Sequence, residues 1–191
     1  MRVVQSFNHD SARGKTALVI YSIGHSTRPI EEFIGILEAH GIGLIADVRT
    51  IPRSRRNPQF NSDALETTLQ ASGIGYAHLK GLGGLRHAKK DSVNRGWENA
   101  SFRGFADHMQ TEEFEESLSA LIALAKERPA AVMCAEAVPW KCHRSLIADA
   151  LFVRGITVLH IMSRTSVKPH ALTPWAEVKG TSLTYPAPRS A

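Results

Sequence analysis

Apolar residues along this chain come in two kinds of run, and the two kinds alternate. Ala17-Leu-Val-Ile-Tyr-Ser-Ile23 is almost continuously apolar, which predicts a strand buried on both faces of a parallel sheet. Beyond Gly24-His25-Ser26-Thr27 and Pro29, the positions Ile30, Phe33, Ile34 and Leu37 repeat at helical spacing, and Gly41 ends that helix. Leu44–Val48 is a second apolar run. Ser62–Ala71 reads as a helix with Asp63 and Glu66 at capping-box spacing and Leu65 and Leu69 inward. Ile74–Leu79 is a third strand, followed by the turn Gly81-Leu-Gly-Gly84.

The second half repeats the alternation. Phe102, Phe105 and Met109 lie at helical spacing. Thr111 caps a longer helix to Lys126, with Phe114, Leu118, Leu121 and Ile122 on its inner face. Ala130–Cys134 is a fourth strand, Leu146–Val153 an amphipathic run closed by Gly155, and Thr157–Ile161 a fifth strand. Such alternation predicts a single α/β domain with a mostly parallel sheet of about five strands flanked by helices. Its bounds are 17–168, with a basic, period-free insertion near 85–100. Residues 1–16 read as a loose extension and 169–191 as a Pro-punctuated tail, disordered at its end.

Composition adds limits. With 43% hydrophobic and 21% charged residues in 191, the chain suits one soluble globular domain. No apolar run reaches membrane-spanning length and the first residues do not form a signal peptide, so the expectation is a cytoplasmic protein with no membrane partner. Two cysteines do not make a disulfide framework. The net charge of +5 permits an anionic partner, and its cations gather between Arg49 and Arg95.

Right-handed crossovers place the strand exits on one edge of a parallel sheet, where ligands bind in open α/β folds. The exits carry His25 and Ser26; Asp47, Arg49 and Arg53; Gly83 and Gly84; and Cys134, Glu136, Cys142, His143 and Arg144. Cys142 near a helix start, beside His143 and Arg144, is placed to be a thiolate nucleophile or a redox-sensitive thiol, and equally a small packing residue. Cys134, ending an apolar strand, reads more as core. Glu136 among apolar neighbours suits a general acid or base, or an ion-pair partner of Arg144 or Arg49. Arg144 at a helix start, with Arg49, reads as an anion contact. His25 could donate to an oxyanion or move protons, and the glycine turn could bring backbone amides to a ligand. C-x7-C-H fits no common zinc pattern, so no metal is expected, and no nucleotide-binding fingerprint suggests a cofactor.

The motifs I-G-H-S (Ile23–Ser26), D-V-R-x-x-P-x-S (Asp47–Ser54), Phe60, L-G-G (Leu82–Gly84), C-A-E-x-x-P-x-x-C-H-R (Cys134–Arg144) and H-I (His160–Ile161) occur in one order over about residues 18–165. In these the chain resembles domain-of-unknown-function family 488. The resemblance implies a small bacterial or archaeal α/β protein, draws Ser54 into the candidate site, and implies no activity. Three functions remain open: an enzyme on an anionic, phosphate-bearing substrate (a nucleotide or nucleic acid among them); a non-catalytic nucleic-acid or partner-binding module using the basic 49–95 segment; and a thiol redox protein using Cys134 and Cys142.

Overall fold

The continuous apolar runs form the middle of one sheet. In the computed structural model, which describes residues 18–187, the strands are β1 (Val19–Gly24), β2 (Leu44–Asp47), β3 (Gly75–His78), β4 (Ala130–Cys134), β5 (Thr157–Ser163) and β6 (Ser166–Pro169). They lie in the order β3-β2-β4-β1-β5-β6, parallel except for the antiparallel β5–β6 pair. β2 and β4 are buried at every residue, as the unbroken apolar pattern requires. The expected extension, residues 1–16, lies outside the described residues.

Successive side chains go to opposite faces. Ile23, Ile45, Ala131 and Met133 meet α1 (Ile30–Ala39) and α2 (Ser62–Ala71) through Phe33, Leu37, Leu65 and Leu69. Ile20, Ala46, Val132 and Cys134 meet α3 (Ala100–His108), α4 (Glu112–Glu127) and α5 (Arg144–Phe152) through Phe105, Leu118, Leu121 and Leu146. β1 and β4 are neighbours whose onward connections leave in opposite directions, β1 toward β2 and β4 across to β5. Their exits therefore diverge and open a crevice at the carboxyl edge. Gly24 permits the close approach there: a Cβ would lie 1.8 Å from the Glu136 carbonyl oxygen.

Three details depart from the sequence reading. The capping box of α2 does not form; Asn61 precedes the helix and its Oδ1 accepts instead from the Ser54 amide at 2.7 Å. Segment 85–99 has no regular structure, yet Asp107 on α3 accepts from Lys89 N, Ser92 Oγ and Asn94 Nδ2 and so fastens it. From residue 170 to residue 187 the chain is built into the fold. β7 (Glu177–Lys179) and β8 (Ser182–Thr184) form a hairpin, and Tyr185 is fully buried. Its hydroxyl donates to Asp149, which also accepts from His170, Thr173 N and Thr173 Oγ1. Polar and Pro-rich segments carry no periodicity, so these anchors leave no mark on a hydrophobic pattern.

Candidate functional site: a buried thiol pair under a basic cleft

A cleft of about 650 Å³ opens at the carboxyl edge, within the range of ligand sites. His25, Arg49, Arg53, Ser54, Gly84, Cys134, Glu136, Cys142 and His143 all line it. Topology has thus brought together nine of the twelve expected residues. The other three, Asp47, Gly83 and Arg144, stand behind the wall.

Cys134 ends β4, and Cys142 follows the short turn Pro139–Lys141; both are buried and free. Arg144 Nε donates to Cys142 Sγ at 3.4 Å, Nη1 to Ser22 Oγ at 3.0 Å and Nη2 to the Glu136 carbonyl. Arg144 is 1% exposed and makes no carboxylate ion pair among the described residues. A buried guanidinium needs a counter-charge, and the acidic group it touches is the Cys142 thiol. The anion of Arg144 is therefore in the protein, which corrects its reading as a substrate contact at a helix start. Ser22, a hydroxyl in an apolar strand, was the missed signal.

His143 completes the sulfur's surroundings. Its Nε2 donates to the Val48 carbonyl at 3.1 Å, which leaves Nδ1 facing Cys142 Sγ at 3.6 Å. The Cys142 pKa is held well below the ordinary thiol value, chiefly by a hydrogen bond from the Cys134 thiol; burial opposes this, and His143 and Arg144 lower it further. Cys134 is pushed up, because its proton is engaged with Cys142 and it is buried. Of the two sulfurs Cys142 is therefore the more acidic, and the Arg144 guanidinium and the His143 ring both face it.

Gly84 sets the imidazole. A Cβ there would lie 2.3 Å from His143 Nδ1, so only glycine lets the strand-exit turn pass over the ring. Gly84→Ala is expected to displace the ring from the sulfur and raise the pH midpoint of Cys142 alkylation by about one unit, the effect of roughly 1.4 kcal/mol of lost thiolate stabilisation. An unchanged midpoint would show that Gly84 does not position His143. The preceding residue, Gly83, allows a similarly close approach to Thr50.

The opposite wall is rigid. Asp47, fully buried, accepts from Arg49 N, Nε and Nη2 and from the Tyr76 hydroxyl at 2.8 Å. Arg49 Nη1 lies 3.4 Å from His25 Nε2. Arg49 is thus already paired with Asp47 rather than free for an anion. His25 stacks on Phe60 with ring centroids 4.1 Å apart, and its Nδ1 donates to the Ser26 carbonyl. Burial lowers its pKa to about 4, so at neutral pH it is an uncharged imidazole rather than a group titrating near neutrality. Ser26 holds a left-handed φ of 52°, which turns the chain at this exit.

Glu136 corrects another expectation: its side chain is exposed rather than desolvated, and its carbonyl, not its carboxylate, meets Arg144. Arg53 and Lys141 line the cleft and are exposed, and among the described residues neither makes an ion pair. The cleft's free charge is therefore mainly positive. Lys141 was overlooked beside more reactive neighbours. Lys89, Lys90 and Arg95 line a separate hollow with Arg103, and Arg86 is paired with Glu113. The basic segment is split between surfaces.

The donor atoms of Cys134, Cys142 and His143 all lie within 4.8 Å of one another, the one such group among the described residues. Two sulfurs and an imidazole are the donor set of a soft cation such as Zn²⁺. Arg144 opposes it, placing a fixed positive charge against one of the sulfurs.

A family profile described as Domain of unknown function DUF488 matches residues 29–151. The chain belongs to the DUF488 family. The DUF488 match takes in Asp47 through Arg144, and so both cysteines and the Arg49 wall, while His25 and His160 lie outside it. No curated protein and no solved structure matches the chain. No helix among the described residues is long and apolar enough to cross a membrane.

Proposed function

We propose that this DUF488 protein is a thiol-dependent enzyme acting on an anionic, phosphate-bearing substrate, with Cys142 as its nucleophile. The observation that carries the reading is the buried Arg144 guanidinium whose acidic neighbour is Cys142 Sγ. A thiolate is the reactive form of cysteine, and this one faces a cleft lined by Arg53 and Lys141, which suit an anion. Sγ would form a bond to the electrophilic atom of the substrate as the bond to the leaving group breaks. His143 would give a proton to that group. Water, deprotonated in turn by His143, would then cleave the sulfur-linked intermediate and restore the thiolate. His25 and Arg49 shape the cleft and present fixed dipoles and charge to it. Two free thiols suit a reducing, cytoplasmic setting.

The test is the pH dependence of thiolate absorbance and of Cys142 alkylation, with Cys142→Ser as the blank. Cys142 should remain thiolate well below the ordinary midpoint of about 8.5. A single midpoint near that value would refute the reading. A second reading, thiol redox chemistry, is favoured by the two sulfurs lying within 4.8 Å of one another. A hydroperoxide would oxidise Cys142 to the sulfenic acid and be reduced to water or an alcohol. Cys134 would then close the disulfide with release of water. An intact mass that keeps both thiol hydrogens after peroxide treatment removes it.

A further inference from the structure

A second cavity, of about 300 Å³, lies on the other side of the turn that carries Cys142. Pro139 and Trp140 wall this cavity, whereas Lys141, Cys142 and His143 wall the cleft. All three tryptophans of the chain, Trp97, Trp140 and Trp175, line it. Trp140 is 54% exposed and Trp175 42%. Two large indoles held open to solvent around one hollow supply stacking faces for a planar ligand.

Two residues that line it each hold a buried polar atom with no partner, the indole nitrogen of Trp97 and Nδ1 of His160. They are the unpartnered buried side-chain atoms among the described residues, and buried polar groups are normally paired. Trp97 Nε1 is a donor without an acceptor. His160, 4% exposed, ends a chain of hydrogen bonds that begins at Asp149. Asp149 accepts from His170 Nε2 at 2.8 Å, and His170 Nδ1 meets His160 Nε2 at 3.1 Å. Where His170 Nδ1 accepts from His160 Nε2, His160 Nδ1 is left as a bare acceptor. At the rim, Lys168 Nζ sits 5.3 Å from the centre of the Trp140 ring.

We propose that this cavity is a second binding site, for a nucleotide whose base carries a cyclic amide. The Trp97 N–H would meet the ring carbonyl and His160 Nδ1 the ring N–H, with the base on the exposed indoles and its phosphate toward Lys168. An amide edge offers an acceptor and a donor side by side, the complement of the two orphaned atoms. None of the groups recognising the ligand belongs to the thiolate site, so the two readings stand or fall separately.

Because every tryptophan lines the cavity, the indole N–H signals in a proton–nitrogen correlation spectrum of the full chain report on it alone. Titration with uridine 5′-monophosphate should shift them saturably, most at Trp97. Trp175→Ala and His160→Phe should each weaken binding by about tenfold, the lower part of the range for a stacked base. Cys142→Ser should leave the titration unchanged. A single-stranded oligouridylate, run in parallel, distinguishes a free nucleotide from nucleic acid as the source of the base. Variant-sensitive binding of either supports the site. The proposal is overturned by the absence of a saturable shift, by equal binding of ribose 5-phosphate, or by binding that survives Trp175→Ala. Trp175 is exposed enough for that variant to fold even where His160→Phe does not.

Discussion

Replacing Arg144 with methionine is expected to destabilise the protein by about 3–5 kcal/mol and to return the Cys142 thiol toward its ordinary midpoint of about 8.5. Removing one partner of a buried charge pair leaves the other uncompensated, and here Ser22 Oγ and the Glu136 carbonyl lose their donors as well. Stability and thiol acidity should therefore fall together. Arg144→Lys separates them. It keeps a positive charge near the sulfur but cannot hold three acceptors in one plane, so the thiol should stay acidic while much of the stability is lost. Urea unfolding and thiolate absorbance measure the two effects. A methionine variant that unfolds at the wild-type midpoint, or whose thiol midpoint does not rise, would show that Arg144 and Cys142 do not form a pair.

Lowering the pH from 7 to 5 is expected to remove about 4 kcal/mol of stability, about 2 kcal/mol from each of two histidines. Burial lowers the pKa of both His25 and His160 to about 4 in the folded protein. Each takes up a proton near 6.5 once unfolded. Between these values the unfolded chain binds more protons than the folded one, so stability rises with pH across the window. It is fully present above about 6.5 and is lost as the pH falls toward 4. His108, also lowered by burial, acts in the same direction. Urea midpoints across this range test it, and His160→Phe should remove about half of the dependence. Equal midpoints at pH 5 and pH 7 would show that these imidazoles titrate normally in the fold.

The two results bear on one architectural fact. His25 follows β1 and Arg144 opens α5 after β4; both are buried, and Arg144 reaches across to Ser22 on β1. The cleft is built on polar groups whose partners are already supplied from within the protein. What remains for a ligand is the Cys142 sulfur, the exposed Arg53 and Lys141, and the Glu136 carboxylate.

Apolar periodicity alone determined the five parallel strands, the helices between them and the edge at which the polar exits gather. Those features follow from burial on two faces of a sheet, and burial is what a hydrophobic pattern records. The sequence also placed Cys134 and Cys142 at that edge, but spacing could not say which is the more acidic. Only the tertiary structure decided it, because the Arg144 guanidinium and the His143 imidazole both converge on one sulfur. The same holds for the residues that changed role. Arg144 looked free for an anion because its partner Ser22 lies on β1, far off in sequence. Glu136 looked desolvated beside apolar neighbours whose side chains turn out to stand in the open. The C-terminal segment carried no period, yet Asp149 and Tyr185 lock it to α5. Periodicity reports which face of an element is dry; hydrogen bonds and ion pairs between distant segments depend on distances that only the folded chain sets.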